Sequence, residues 1–437
     1  MLGGVFMSDT DGNIGRSSTT STEKVTGLLF DISKQSTFFT AGAGLAAKDK
    51  LQGNVIEVNS MDDLKELGIT AYSGSTEKDL LFGIPYYHIN HFFDIQGATG
   101  RLFVMFADCS ENWDAIDQMQ RAAHGMINQL GVWTDQSLWK QTDPVAGTYS
   151  VDLVTSLNSK AKALAEENVP LSILLAANSA VVTTTSDPNK QIDLSKIPTC
   201  QMGARYVTVT LGQGLDTDVT AMQYANTNHT PVGTIGALLG CIALASVQES
   251  FAWVNKFNLA GYFPDIEMGF GDVTEASGKL TSTLKYSSLN KVQLDDLDDK
   301  GYVFLCKYSG LENGIYFSKD QTCADSTSDY RTVARNRTIN KSRRAVRNAL
   351  LPYVNSPLKV DPSIGYLSTA KITAFQNIVS DVLLTMQNNE EISGYSVTID
   401  KNQNVLKSDT LIIKYSLVPV GVASRIEVVE GLALTNK

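Results

Sequence analysis

Histidine and cysteine are scarce in this chain, and where they stand narrows the chemistry. Four histidines occupy positions 88, 91, 124 and 229, and five cysteines occupy 109, 200, 241, 306 and 323. No two cysteines have CxxC spacing and the histidines do not cluster with them, which argues against a zinc site. An odd count without paired spacing points to reduced, buried thiols in a cytoplasmic setting rather than to a disulfide framework. Long apolar runs are missing as well. The longest, VGTIGALLGCIALASV at 232–247, falls short of the roughly 18–20 residues a membrane span needs. It reads as a buried core helix, and no stable membrane insertion is expected. The opening residues show neither the basic n-region nor the apolar h-region of a signal peptide, so the sequons at Asn228 and Asn336 carry no meaning. GxSxG, GxxxxGK[ST] and any Cys/His nucleophile pattern are absent. No cofactor and no enzymatic role are therefore expected.

Three local patterns suggest chemistry and are outweighed by plainer readings. Gly42-x-Gly44-x-x-Ala47 follows a short strand, as a dinucleotide-binding turn does. The next strand begins near Val55, too soon for the usual crossover helix, so a Gly-rich turn is expected. His88 and His91 beside Asp94 lack a third metal ligand, and their aromatic neighbours indicate packing. The aspartates of QLDDLDDKG, 293–301, do not fit the spacing of an EF-hand loop and are expected to form a solvated turn.

What is present is a folded globular chain of 437 residues, 43% hydrophobic and 19% charged, long enough for two or three domains. Residues 1–24 are rich in Gly, Ser, Thr and Asp and read as an extended arm. Apolar strands then alternate with helices: KVTGLLFDI, STFFT, NVIEV, GRLFVMFAD, LSILLAAN and RYVTVTL. Ser60 is expected to cap a short helix with Asp63 in capping-box position. Ser110 is expected to cap a helix carrying Trp113, Ile116, Met119, Ala123, Met126, Ile127 and Leu130, and another helix is expected over 233–255. This alternation gives an α/β domain over 25–275. A smaller α+β domain is expected over 276–422. It opens with a hairpin turning at Asn313-Gly314 and holds a helix after Ser368. Residues 423–437 form a second arm. In TLIIKYSL, Leu411, Ile413, Tyr415 and Leu417 alternate with polar or opposite-facing neighbours, the period of a half-buried strand.

The strongest anomaly is electrostatic. The chain carries a formal net charge of −10, which argues against wholesale wrapping by nucleic acid. Yet 331–360 contains Arg331, Arg335, Arg337, Lys341, Arg343, Arg344, Arg347 and Lys359 and no acidic residue. On a helical wheel Ile339, Val346 and Leu350 form a thin apolar stripe, with most arginines on the remaining arc. Like charges along a helix repel and need a countercharge. That is either phosphate, in a nucleic-acid-binding helix, or an acidic protein surface.

The stretch SDYRTVARNRTINKSRRAVRNALLPYVNSPLKVDPSIGYLS resembles the C-terminal region of contractile phage tail sheath proteins. YYHINHFFDIQGATGRLFVMFAD, GTIGALLGCIALASVQESFAWV and DTLIIKYSLVPVGVASRIEVVEGL are similar to further pieces of that family in the same order; 131–170 and 180–200 match weakly, as a variable outer part or inserted subdomain would. The resemblance implies a multi-domain tail-sheath fold, an outer α/β domain plus a smaller C-terminal α+β domain lining a tube, with strand-forming arms. It implies a helical homopolymer whose arms add strands to neighbouring subunits, with Leu411, Ile413, Tyr415, Leu417, Ile426 and Val428 at the edge involved. It implies that Arg331, Arg335, Arg337, Lys341, Arg343, Arg344 and Arg347 face an inner tail-tube protein or adjacent sheath subunits. Baseplate and tail-terminator proteins are the other implied partners. No nucleic acid is an implied partner, and the location is a virion tail or the bacterial cytoplasm where such an apparatus assembles.

Overall fold

The computed structural model describes residues 22–33, 51–74, 77–97, 100–134, 136, 138–143, 148–176, 197–215, 219, 221–222, 231–274, 280–311, 313–362 and 365–428. The arm residues before 22 and after 428, STFFT, and the Gly42–Ala47 turn lie outside these.

The chain enters on β1 (Val25–Asp31), whose seven residues are all buried. β2 (Val55–Val58) follows, then α1 (Met61–Glu66), where Ser60 and Asp63 form the expected capping box. The long helix α2 (Glu77–Gln96) leads to β3 (Arg101–Ala107), and α3 (Asp114–Ala122) leads to β4 (Gln129–Trp133). A hairpin of β5 (Lys140–Asp143) and β6 (Thr148–Ser150) precedes α4 (Asp152–Glu166), β7 (Ser172–Ala176) and β8 (Val207–Leu211). β9 (Gln213–Leu215) precedes α5 (Ile235–Leu244), and it joins β10 (Asp265–Thr274) and β11 (Leu280–Lys285) in a three-stranded side sheet. α6 (Lys291–Asp299) is followed by β12 (Tyr302–Cys306) and β13 (Tyr316–Phe317).

One eight-stranded sheet, in the order β13-β12-β8-β7-β4-β1-β3-β2, organises this part. β1 is central and runs parallel to β3 and β4, in register from Val25↔Arg101 and Thr26↔Gln129. The antiparallel strands β2 and β13 close the two edges. Alternation along β1 shows why the strands read as continuous apolar runs: Leu29 packs on one face with α3 and α4, while Leu28 and Phe30 pack on the other with α2 and α5. Strands covered by helices on both faces have no polar side. α2 and α5 approach closely because Gly236 has no side chain; a Cβ there would lie 2.0 Å from the His88 carbonyl oxygen.

The second domain is small. α7 (Val333–Leu350) leads to α8 (Thr369–Asn388), which covers one face of an antiparallel pair, β14 (Ile392–Thr398) and β15 (Lys414–Pro419), with the short helix α9 (Val405–Ser408) between them. Val346 of α7, Val379 and Leu383 of α8 and Ile392 of β14 form its core, with Tyr415 and Leu417 packed against it.

Several expectations shift. β12 pairs with β8, so the hairpin assigned to the small domain belongs to the large sheet; a five-residue strand finds its partner nearly a hundred positions back, which local pattern cannot show. α3 stops at Ala122 and not near Leu130. His124 and Gly125 take left-handed backbone (φ 53 and 74) that ends the helix and turns the chain into β4. Trp113, not Ser110, occupies the N-cap. α5 ends at Leu244, and the residues to 255 are turns. The aspartates of 293–299 lie on α6, not in a turn, and Asp295 and Asp296 pair with Lys291 and Lys300. β15 begins at Lys414, four residues later than expected, because Asp409 is left-handed after α9. Gln403 supplies the missing ladder instead: its side chain accepts from the Ile412 N–H at 2.7 Å and donates to the Ile412 carbonyl at 2.8 Å.

Candidate functional site on the linking helix and the open strand pair

The basic segment forms α7, and its start is capped twice. Thr332 Oγ1 accepts from the Arg335 N–H at 3.3 Å. Asp320, in the segment after β13, reaches across to accept from Val333 N at 2.9 Å and Ala334 N at 3.2 Å. A carboxylate at a helix N-terminus satisfies orphan donors and meets the positive end of the helix dipole. Burial nonetheless pushes the Asp320 carboxyl up to about 6, against the two backbone donors and the nearby Arg337.

The arginines then part ways. Arg337 is only 6% exposed. Its guanidinium donates to the Ala245 carbonyl at 3.1 Å and the Ser246 carbonyl at 3.2 Å, at the C-terminal end of α5. A cation is favoured there for the same dipolar reason. Burial lowers its pKa to about 10, countered by Glu23 and Asp320, so it stays charged at neutral pH. Arg344 pairs with the buried Glu23 and donates to the Pro170 carbonyl at 3.1 Å. Lys341 pairs with Glu391. Arg331 and Arg335 donate to the carbonyls of Ser326 and Asp329 at 3.3 and 3.4 Å. Arg343 and Arg347 are exposed, one turn apart, and have no acidic partner among the described residues. α7 is therefore a linking rod: Arg337 and Arg344 bolt it to the large domain, while Lys341 and Val346 join it to the small one.

The β14–β15 pair has no third strand among the described residues, so both outer edges keep unpaired backbone groups. From Leu411 to Val418 burial alternates, with Leu411, Ile413, Tyr415 and Leu417 half-buried against the core and Ile412, Lys414, Ser416 and Val418 exposed. Beyond the strand, Ile426 and Val428 are 80% and 84% exposed.

Residues 2–321 match the DUF2586 N-terminal domain and residues 329–437 the DUF2586 C-terminal domain. The chain belongs to the DUF2586 family. The gap between the two matches falls between the last strand of the large sheet and α7, not near residue 276. No curated protein matches the sequence. Among solved structures, the DUF2586 chain is similar to one in the baseplate of the anti-feeding prophage (AFP), with 14% identity, 99% of each chain covered and a TM-score of 0.57. It is similar to one in the contracted AFP helical sheath, with 12% identity, 100% of this chain and 99% of that one covered and a TM-score of 0.56. It is also similar to one in the contracted PVC sheath complex of an extracellular contractile injection system, with 13% identity, coverage of 99% and 98% and a TM-score of 0.56. The fold of contractile sheath proteins, expected from the sequence resemblance, thus extends over both DUF2586 domains.

Within that fold the seven basic residues do not form one surface. Arg337 is corrected outright: it is interior and cannot face a partner. Lys341 and Arg344 are held by carboxylates of their own chain. Sequence reasoning missed Asp320, Glu23 and Glu391, all outside the basic stretch; only an unbroken run of cations without local countercharge hinted that distant acids must exist. Glu23 also corrects the first arm, which cannot include it. His88 and His91 pack among aromatic rings as expected. The His88 ring nitrogen Nε2 lies 2.9 Å from the Val232 carbonyl, and the His91 ring stacks edge-on to Tyr87.

Proposed function

We propose that this chain is a structural subunit of a contractile sheath. It polymerises around an inner tube and shortens to drive that tube through a target envelope without nucleotide hydrolysis. The observation carrying this reading is the likeness of both domains, end to end, to sheath chains in contracted assemblies. The role is mechanical and not enzymatic. At the carboxyl ends of the parallel strands, where α/β sheets usually open a ligand crevice, Asp31 instead accepts from Cys109 N, Thr134 Oγ1 and Gln136 Nε2 at 3.1, 2.6 and 2.6 Å. Work then comes from subunit contacts. The open edges of β14 and β15 suit strand addition by the arm of a neighbouring copy, and the exposed Ile426 and Val428 suit the donated strand. Arg331, Arg335, Arg343 and Arg347 remain as cations for an acidic tube or sheath surface. The AFP baseplate likeness supports a baseplate contact, with a tail terminator at the far end. Assembly would take place in the bacterial cytoplasm, before release as a virion tail or injection particle. Nucleic-acid binding by 331–347 is disfavoured, because three of its seven cations are already paired inside the subunit.

Negative-stain microscopy of the purified protein is expected to show long hollow cylinders. A chain that stays monomeric at every concentration and salt, even with its tube protein, overturns the reading. Removing residues 1–21, which spares Glu23, is expected to abolish polymers while leaving the thermal unfolding of the subunit in place. The paired reversal Arg343→Glu and Arg347→Glu is expected to weaken tube co-sedimentation and remove much of its salt sensitivity. Single exposed ion pairs are worth only about 0–1 kcal/mol, so the subunit itself should keep its stability.

A further inference from the structure

A cluster of cations extends beyond the basic stretch. Arg205, just ahead of β8, lies over two aromatic rings: its Cζ is 4.6 Å from the Tyr206 ring centroid and 4.2 Å from that of Tyr330. It donates to the Tyr206 hydroxyl. Arg331 and Arg335 reach the same loop between β13 and α7, at the carbonyls of Ser326 and Asp329. Three guanidiniums thus meet one loop, and none forms an ion pair among the described residues. Asp325 and Asp329 stand exposed in that loop and make no ion pair with them. Each guanidinium carries five N–H donors in a planar fork, so most of these donors stay unused. The two rings hold Arg205 in place in advance. Such a group of forks suits carboxylates, which accept from them in pairs.

The matching acids lie on the same chain. It has five pairs of adjacent acidic residues, at 62–63, 166–167, 295–296, 298–299 and 390–391. Four of these hold at least one member in an ion pair, through Asp62, Asp295, Asp296, Asp298 and Glu391. Glu166 and Glu167 differ: both are exposed and neither is paired among the described residues. They close α4, whose last turn holds no basic residue, so the negative end of the helix dipole adds to their own charge. Lys162, one turn back, makes no ion pair with either. The arginine cluster lies beside the other half of α4: Thr155 Oγ1 is 3.6 Å from Met202 Sδ, and Asn158 Oδ1 accepts from Tyr206 N at 3.3 Å. One subunit therefore carries two unmatched patches of opposite sign, set apart along one helix. Resting on the reading of the chain as a self-assembling subunit, we propose that Glu166 and Glu167 of one copy dock on Arg205, Arg331 and Arg335 of the next. Two different patches meet, and each added copy leaves one of each kind free. Contacts of this head-to-tail type build rings or open helices. Arg343 and Arg347 are then left for the tube.

The test uses the full chain with engineered cysteines, since the five natural ones are buried. Ala163→Cys, one turn before Glu167, and Ser326→Cys are both exposed positions and leave every charge in place. Under a mild oxidant, a mixture of the two single variants is expected to give a disulfide-linked dimer that neither gives alone. Both cysteines in one chain should give a ladder of multimers. No dimer in the mixture, or equal cross-linking of either variant alone, overturns the contact. Glu166→Lys with Glu167→Lys, and separately Arg205→Glu with Arg331→Glu, should each raise the protein concentration needed for sedimentable polymers about tenfold, because like charges then face each other. Combining all four changes should recover most of that loss. Polymers indifferent to both reversals, or a quadruple variant no better than the weaker pair, overturn this contact and leave the sheath reading standing. A parent chain that never polymerises overturns both. Should Arg205→Glu fail to fold, the cysteine pair decides alone.

Discussion

Arg337→Met is expected to lower the unfolding free energy by about 3–5 kcal/mol, the cost of removing one partner from a buried charged cluster. The physical reason is what remains. The carbonyls of Ala245 and Ser246 lose their donor, and Asp320 loses the nearest cation offsetting its burial. Arg343→Met, on the same helix but exposed and without an acidic partner among the described residues, should change stability by no more than about 0.5 kcal/mol. Urea denaturation of the unassembled protein measures both. Similar losses from the two variants would mean that Arg337 is not the bolt its geometry makes it. A second signature follows from linkage. Asp320 already has a folded-state pKa raised to about 6 from 3.8. Its contribution is therefore fully present below 3.8 and is lost as pH rises through 6. Without Arg337 that pKa rises further, so the deficit of the variant should be larger at pH 8 than at pH 5.

Acid should weaken the large domain strongly, and the histidines between α2 and α5 should be a main cause. Burial lowers the His88 pKa to about 3 and the His91 pKa to about 4, from 6.5. Folded-state values below the unfolded one mean that the unfolded chain binds more protons, so stability falls as pH drops from 6.5 towards 4 and 3. At about 1.4 kcal/mol per pKa unit, the two together can remove several kcal/mol, more than the opposing gain from Asp320. His88→Leu isolates the effect. The Val232 carbonyl keeps a donor in Trp133 Nε1 at 2.9 Å, so the variant should fold. It should lose less stability than the parent between pH 7.5 and pH 4.5, measured by denaturant midpoints at each pH. Equal losses would assign acid sensitivity to other groups.

The sequence was most legible where one residue's neighbours decide its environment. The apolar runs of β1, β3, β7 and β8 require two covered faces, and the alternation from Leu411 to Val418 holds even at Leu411–Ile413, before the β14–β15 ladder begins. Ser60 with Asp63 was readable because a capping box is local. It failed where partners are remote. Nothing near Arg337 announces the end of α5, and nothing near Arg344 announces Glu23. The fate of each arginine is thus set by tertiary placement, which a helical wheel cannot see. The early stop of α3 at Ala122 was missed because a non-glycine residue, His124, takes the left-handed turn just ahead of Gly125.

α7 behaves as an axle pressed into two hubs. Val333 packs in the large domain's core and Val346 in the small one's, and the rod between them is pinned by Arg337 and Arg344. The two hubs cannot swivel against each other there without stripping a buried guanidinium of its partners. In the proposed sheath, torque on the strand pair would pass along this rod to the eight-stranded sheet. In the proposed lattice, rearrangement is expected to be absorbed outside residues 333–350.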